Sequence, residues 1–168
     1  LLNTGYQYPG PAAIRYPRGS GTGAAIAASQ SYEIGKGIKI RDGVRVAILN
    51  FGTLLDAAKQ VAASANYSIA DMRFVKPIDE ALVAELAASH ELLVTLEENA
   101  LQGGAGSAVC EYLNSAGIIM PVLQLGLPDQ FINHGKHANL LSDCGLDTTG
   151  IATAIERRLA LLLSLIHI

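Results

Sequence analysis

From Gly37 onward the apolar positions of this chain switch repeatedly between the spacing of a strand and that of a helix. The run GIKIRDGVRVAILNFG reads as two strands meeting at Asp42-Gly43, a pair that readily supplies the positive φ angles of a tight hairpin turn. In TLLDAAKQVAASA, Leu55, Ala58 and Ala62 share a helical face and Thr53 stands where a side chain caps the first turn, which predicts a helix over about 53–65. YSIADMRFV is the next strand. KPIDEALVAELAASH is the next helix, with Pro77 just ahead of its start and Leu82, Leu86 and Ala87 facing inward. ELLVTLEE is an unbroken apolar run of strand length, suited to a sheet centre buried on both faces. GAGSAVCEYLNSAG returns to helical spacing through Val109, Leu113 and Ala116 and stops at Gly117. MPVLQLG is a further strand, HANLLSDCG a short helix ended by Gly145, and TTGIATAIERRLALL a last helix opened by Thr148 or Thr149.

The order β, β, α, β, α, β, α, β, α, α predicts an α/β fold whose largely parallel sheet is covered by helices, with one antiparallel edge contributed by the hairpin. Residues 1–36 do not join this pattern. They hold three of the six prolines and a dense cluster of glycines, and read as the tail of a different unit plus a connecting segment. The closing LALLLSLIHI is apolar on every side of any helix drawn through it and too short to span a bilayer. It reads either as the end of a packed helix or as a helix followed by residues foreign to the natural gene.

Composition narrows the function classes. With 168 residues, half of them apolar, the chain fits one domain that buries its core without metal or disulfide help. A net charge of −3 with no basic block argues against nucleic acid or an anionic membrane surface as partner. Cys110 and Cys144 are too far apart for a Cys-x-x-Cys pair, and read as small buried residues of a reducing compartment. With neither the order of a signal peptide nor an apolar run of membrane-spanning length, the expected location is the cytoplasm.

The stretch AAIRYPRGSGTG raises the clearest chemical question. Pro17 fixes its own φ and pushes Tyr16 into an extended conformation. In a polyproline twist Arg15 and Arg18 project from one side; in a flat strand they point to opposite faces. A guanidinium on so stiff a backbone suits two-point recognition of a phosphate or carboxylate, and equally an ordinary interdomain ion pair.

Elsewhere the signals are weaker. Gly103, Gly104 and Gly106 lie between a strand and a helix, where they suit an anion cradle or merely close packing of the turn. Glu97 and Glu98 end a strand, and capping of the glycine-rich helix start by one of them is the favoured role. His134 and His137 are three apart with no third ligand evident, and Ser107 has no histidine or acid at catalytic spacing. The residues by themselves show no catalytic constellation.

GPAAIRYPRG, IGKG, VAILNFGTLL, DMRFVKPIDEAL, SHELLVTLEENALQGGAGSAV, PVLQLGLPDQFINHG and CGLD, in one unbroken order over about residues 2–159, resemble the C-terminal part of transketolase-like, thiamine-diphosphate-dependent enzymes. The nearest match is to those that decarboxylate pyruvate and pass the two-carbon unit to glyceraldehyde 3-phosphate, in isoprenoid-precursor, thiamine and pyridoxal biosynthesis. The resemblance implies a three-layer α/β domain with a mostly parallel five-stranded sheet and one antiparallel edge strand. It implies that 1–23 is the C-terminal edge of a pyrimidine-binding domain, 24–36 a linker and 37–160 the C-terminal domain, with 161–168 departing from the family. By match within R-Y-P-R-G, Arg15 would hold the acceptor's phosphate and Arg18 would support it. Thiamine diphosphate and magnesium would belong to the complete enzyme, bound by upstream segments; the fragment would bind neither and be inactive alone. Its implied partners are those upstream domains, a second copy in a homodimer and the phosphorylated substrate. Two other readings stand beside this one: a non-catalytic assembly module of a thiamine-diphosphate enzyme, and a nucleotide-binding domain using residues 103–107.

Overall fold

The structure, a computed structural model, describes residues 1–16 and 30–166. Among these, β1 (Ile38–Arg41), β2 (Val46–Phe51), β3 (Ser68–Asp71), β4 (Leu92–Ala100) and β5 (Val122–Leu127) form one sheet in the order β1-β3-β2-β4-β5. Four of the strands run parallel, and β1 lies antiparallel to β3 at the edge. Helices cover both faces, so the expected three-layer, mostly parallel sheet with one antiparallel edge strand is present.

That edge does not come from the hairpin expected at Asp42-Gly43. β1 and β2 do not pair, because β3 lies between them. Instead of folding back, the connecting loop leans on the entry to β3: the Gly43 N–H donates to Ser68 Oγ and the Val44 N–H to the Asn66 carbonyl, both at 2.8 Å. A Cβ at Gly43 would lie 2.2 Å from the Tyr67 carbonyl carbon, so this glycine serves close approach. Arg45, at φ 65°, is the left-handed residue of the turn.

The helices are α1 (Leu2–Gln7), α2 (Leu55–Ala65), α3 (Glu80–Ser89), α4 (Ala105–Ser115), α5 (His137–Asp143) and α6 (Thr148–Ile166). Successive residues of a strand point to opposite faces. Ile48 and Val94 therefore meet Ala58 and Val61 of α2 and Ile151 and Ile155 of α6, while Leu49 and Leu93 meet Leu82 and Leu86 of α3 and Val109 and Leu113 of α4. The central strand β4 is buried on both faces over its first six residues, as its unbroken apolar run predicts. Ala116, expected on the inner face of α4, is exposed at the helix end. Among the described residues no helix is long and apolar enough to cross a membrane.

Helix ends follow local chemistry unevenly. Gly117 (φ 68°) and Gly145 (φ 69°) end α4 and α5 in the left-handed region, as expected. Thr53 does not cap α2, which starts at Leu55 without a side-chain cap. Asp147, rather than Thr148 or Thr149, closes the start of α6, accepting the Gly150 N–H at 2.8 Å. That backbone bond, and then the Ser142 hydroxyl, hold the Asp147 carboxyl below its ordinary value. α6 continues to Ile166 with Leu161 and Leu163 exposed. α1 has too few apolar residues to signal itself by period.

Candidate functional site

The crossover from β2 through α2 to β3 lies on one face of the sheet, and that from β3 through α3 to β4 on the other. The winding reverses between β2 and β4, and at such a switch point the strand ends part to leave a crevice. A cleft of about 800 Å³ opens there. Its floor is Phe51, Gly52 and Thr53 after β2 and Glu97 and Glu98 of β4, and the N-terminal segment through Arg15 and Tyr16 closes over it.

That segment is tied down by polar contacts. The Tyr32 N–H donates to the buried Thr4 Oγ1 at 2.9 Å, and Asn3 Nδ2 donates to Ser31 Oγ at 2.9 Å. A Cβ on Gly5 would lie 2.7 Å from Ile14 Cδ1, the end of a flexible side chain, so α1 packs against the stretch before Arg15. On the far wall Arg73, left-handed at φ 59°, lies 4.3 Å from the centre of the Tyr32 ring and 3.4 Å from Asp71.

The two adjacent glutamates diverge, as neighbours on a strand must. Glu97 is buried and turns to α4, where its carboxylate oxygens accept the N–H groups of Ala105 and Gly106, each at 2.8 Å. A Cβ on Gly104 would fall 2.5 and 2.6 Å from those oxygens, and one on Gly106 would fall 2.5 Å from Thr95 Oγ1. The glycines thus serve close strand-to-helix packing around an internal carboxylate. The expected capping of this helix start by a glutamate is seen, and Glu97 is the one that does it. An outside phosphate would find those N–H groups occupied and a negative charge beside them.

Glu98 turns the other way. Its carboxylate accepts the Thr53 hydroxyl at 2.5 Å and meets His137 Nε2 at 2.6 Å, and its backbone carbonyl accepts Arg15 Nη2 at 2.5 Å. Burial by itself pushes this carboxyl up. The Thr53 and His137 hydrogen bonds, then the charges of His137 and Arg15, outweigh it and leave the group below its ordinary value of 4.5. A depressed carboxyl contributes stability that is complete above the ordinary value and is lost as pH falls through the lower folded one.

Arg15 therefore stands at the cleft, exposed, with one guanidinium nitrogen engaged by a partner among the described residues. Arg18 lies outside the described residues, as do Pro17 and residues 24–29 of the expected linker 24–36. His134 and His137 do not share a helical face, since α5 begins at His137 and His134 precedes it. Sequence reasoning missed Thr53 and His137 as partners of Glu98. No local signal marks them, because they stand 45 and 39 positions away. Cys110 and Cys144 are free and half-buried rather than buried.

Residues 35–151 match the family described as transketolase, C-terminal domain. The chain belongs to that family. It is 59% identical over 160 residues to the 1-deoxy-D-xylulose-5-phosphate synthase of Hahella chejuensis, covering 95% of this chain and 25% of that protein. To the synthase of Cellvibrio japonicus it is 60% identical over 163 residues, covering 96% of this chain and 26% of the relative. The chain thus spans about a quarter of the length of these curated relatives. Among solved structures, a split-gene transketolase described as an inactive β4 tetramer superposes with a TM-score of 0.72 at 33% identity, covering 84% of this chain and 48% of that one.

Thiamine diphosphate, which the family implies, does not fit the described residues. Among the described residues, the glycine-rich helix start that could face a diphosphate is filled by Glu97, and no three His, Cys, Asp or Glu side chains converge as a metal would require.

Proposed function

We propose that this chain forms the C-terminal part of a 1-deoxy-D-xylulose-5-phosphate synthase, which condenses pyruvate with glyceraldehyde 3-phosphate with loss of CO2 in the cytoplasm. The observation that carries this reading is 59–60% identity to such synthases along 95–96% of the chain. In this reading residues 1–23 close a pyrimidine-binding domain, 24–36 link it to the domain of 37–160, and 161–168 are either the end of the last packed helix or a foreign tail. Upstream domains hold thiamine diphosphate and magnesium, a second copy completes a homodimer, and the chain alone is inactive.

Within the complete enzyme, Arg15 anchors the phosphate of glyceraldehyde 3-phosphate and Arg18 supports it. The placement of Arg15 at the cleft, with a guanidinium of five N–H donors steadied by one bond to a carbonyl, supports this role. Arg15→Ala in the full-length enzyme should raise the KM for that acceptor about 30- to 150-fold, matching a charge-assisted anchor of about 2–3 kcal/mol. Arg15→Lys should recover only part, since an ammonium lacks the two-point fork. An unchanged acceptor KM in Arg15→Ala would remove the anchor role.

A further inference from the structure

Glu98 collects contacts from three distant parts of the chain: Arg15 ahead of the sheet, Thr53 after β2 and His137 at the start of α5. It lies where the regular pairing of the sheet is interrupted. The β2–β4 ladder ends at Phe51 opposite Glu97, and the β4–β5 ladder shifts register between Leu96 and Ala100. Pairing resumes at Ala100 opposite Leu127, and at the interruption the Glu98 carboxylate is gripped from both sides by the Thr53 hydroxyl and the His137 ring. The carbonyl that receives Arg15 belongs to that same residue.

We propose that Glu98 is a positioning residue for Arg15, its clamped carboxylate fixing the strand end whose carbonyl orients the guanidinium toward a phosphorylated acceptor. This rests on the reading of Arg15 as the phosphate anchor. An arginine carries five N–H donors in a rigid fork, so one bond from Nη2 to a fixed carbonyl sets the plane of the group and leaves donors for two-point binding. Preorganising a long side chain in this way removes part of the ordering cost from the binding step. The charge of Glu98 adds a second restraint, drawing the guanidinium to the strand end. Thr53 and His137 act one step further out, through Glu98.

The test uses the full-length enzyme and separates acceptor KM from kcat in Arg15→Ala, Glu98→Gln and the double variant. Glu98→Gln should raise acceptor KM about 3- to 10-fold with kcat within about twofold and pyruvate KM unchanged, and should add nothing in the Arg15→Ala background. His137→Ala, at an exposed position, should raise acceptor KM about 2- to 5-fold and be equally silent without Arg15, which keeps the test decisive if Glu98→Gln fails to fold. Wild-type acceptor KM in the Glu98 and His137 variants, or effects that multiply with that of Arg15→Ala, would overturn the positioning role while leaving the anchor in place. An Arg15→Ala enzyme with unchanged acceptor KM would overturn the anchor reading itself, and the positioning role with it.

Discussion

Glu97 and Glu98 carry the same functional group one bond apart in the chain, yet they serve different structures. Glu97 is an internal substitute for an anion: sealed beneath Gly104, it satisfies two of the N–H groups that α4 leaves without helical partners. Glu97→Ala would strand both donors in a buried site. The expected loss is about 2–4 kcal/mol of unfolding free energy, read as a lower urea midpoint at unchanged slope. A midpoint equal to wild type would mean that water replaces the carboxylate at no cost. Glu98, by contrast, is reachable from the cleft and holds exposed partners, which is why its contribution is sought in substrate kinetics. That one glutamate would cap the glycine turn was legible, because a strand-end carboxylate stands within reach of a following helix start. Which of the two does so depends on the pleat of β4.

At the scale of elements, the helices and parallel strands follow their periods closely, and departures come where a local preference met a tertiary competitor. Asp42-Gly43 has the composition of a hairpin turn, but Ser68 and Asn66 bind its backbone and β3 takes the place beside β2. Thr53 has the character of a helix cap, but Glu98 takes its hydroxyl. α3 shows the opposite outcome. Asp79 caps it by accepting the Leu82 N–H at 3.1 Å, and the other carboxylate oxygen accepts the Gly37 N–H at 3.0 Å, joining the approach to β1 to the helix start. Because it is buried and serves two elements, Asp79→Ala should cost about 2–3 kcal/mol, more than a simple cap. Thermal unfolding would show it, with Asp79→Asn recovering part; a variant melting with the wild type would show that neither bond contributes.

At the scale of the whole molecule, the described residues include several large side chains that stand exposed. Tyr6 and Tyr16 in the N-terminal segment, Ile119 before β5 and Phe131 after it are all exposed large side chains. This chain spans about a quarter of the length of its curated relatives. On the homodimer proposed above, the isolated chain should sediment as a dimer or larger species at about 100 μM with a weight that falls on dilution. A monomer across that range would count against a second copy meeting this part of the chain.

What the sequence by itself determined is the succession of elements and the class of the fold, because the alternation of apolar and polar positions is a property of neighbours along the chain and survives without knowledge of contacts. The family motifs likewise singled out Arg15. The tertiary structure alone decided that β3 enters between β1 and β2, that the cleft opens where the winding reverses, and that Glu98 meets Arg15, Thr53 and His137 across 83, 45 and 39 positions. Such pairings depend on the packing of whole layers, and no local period encodes them.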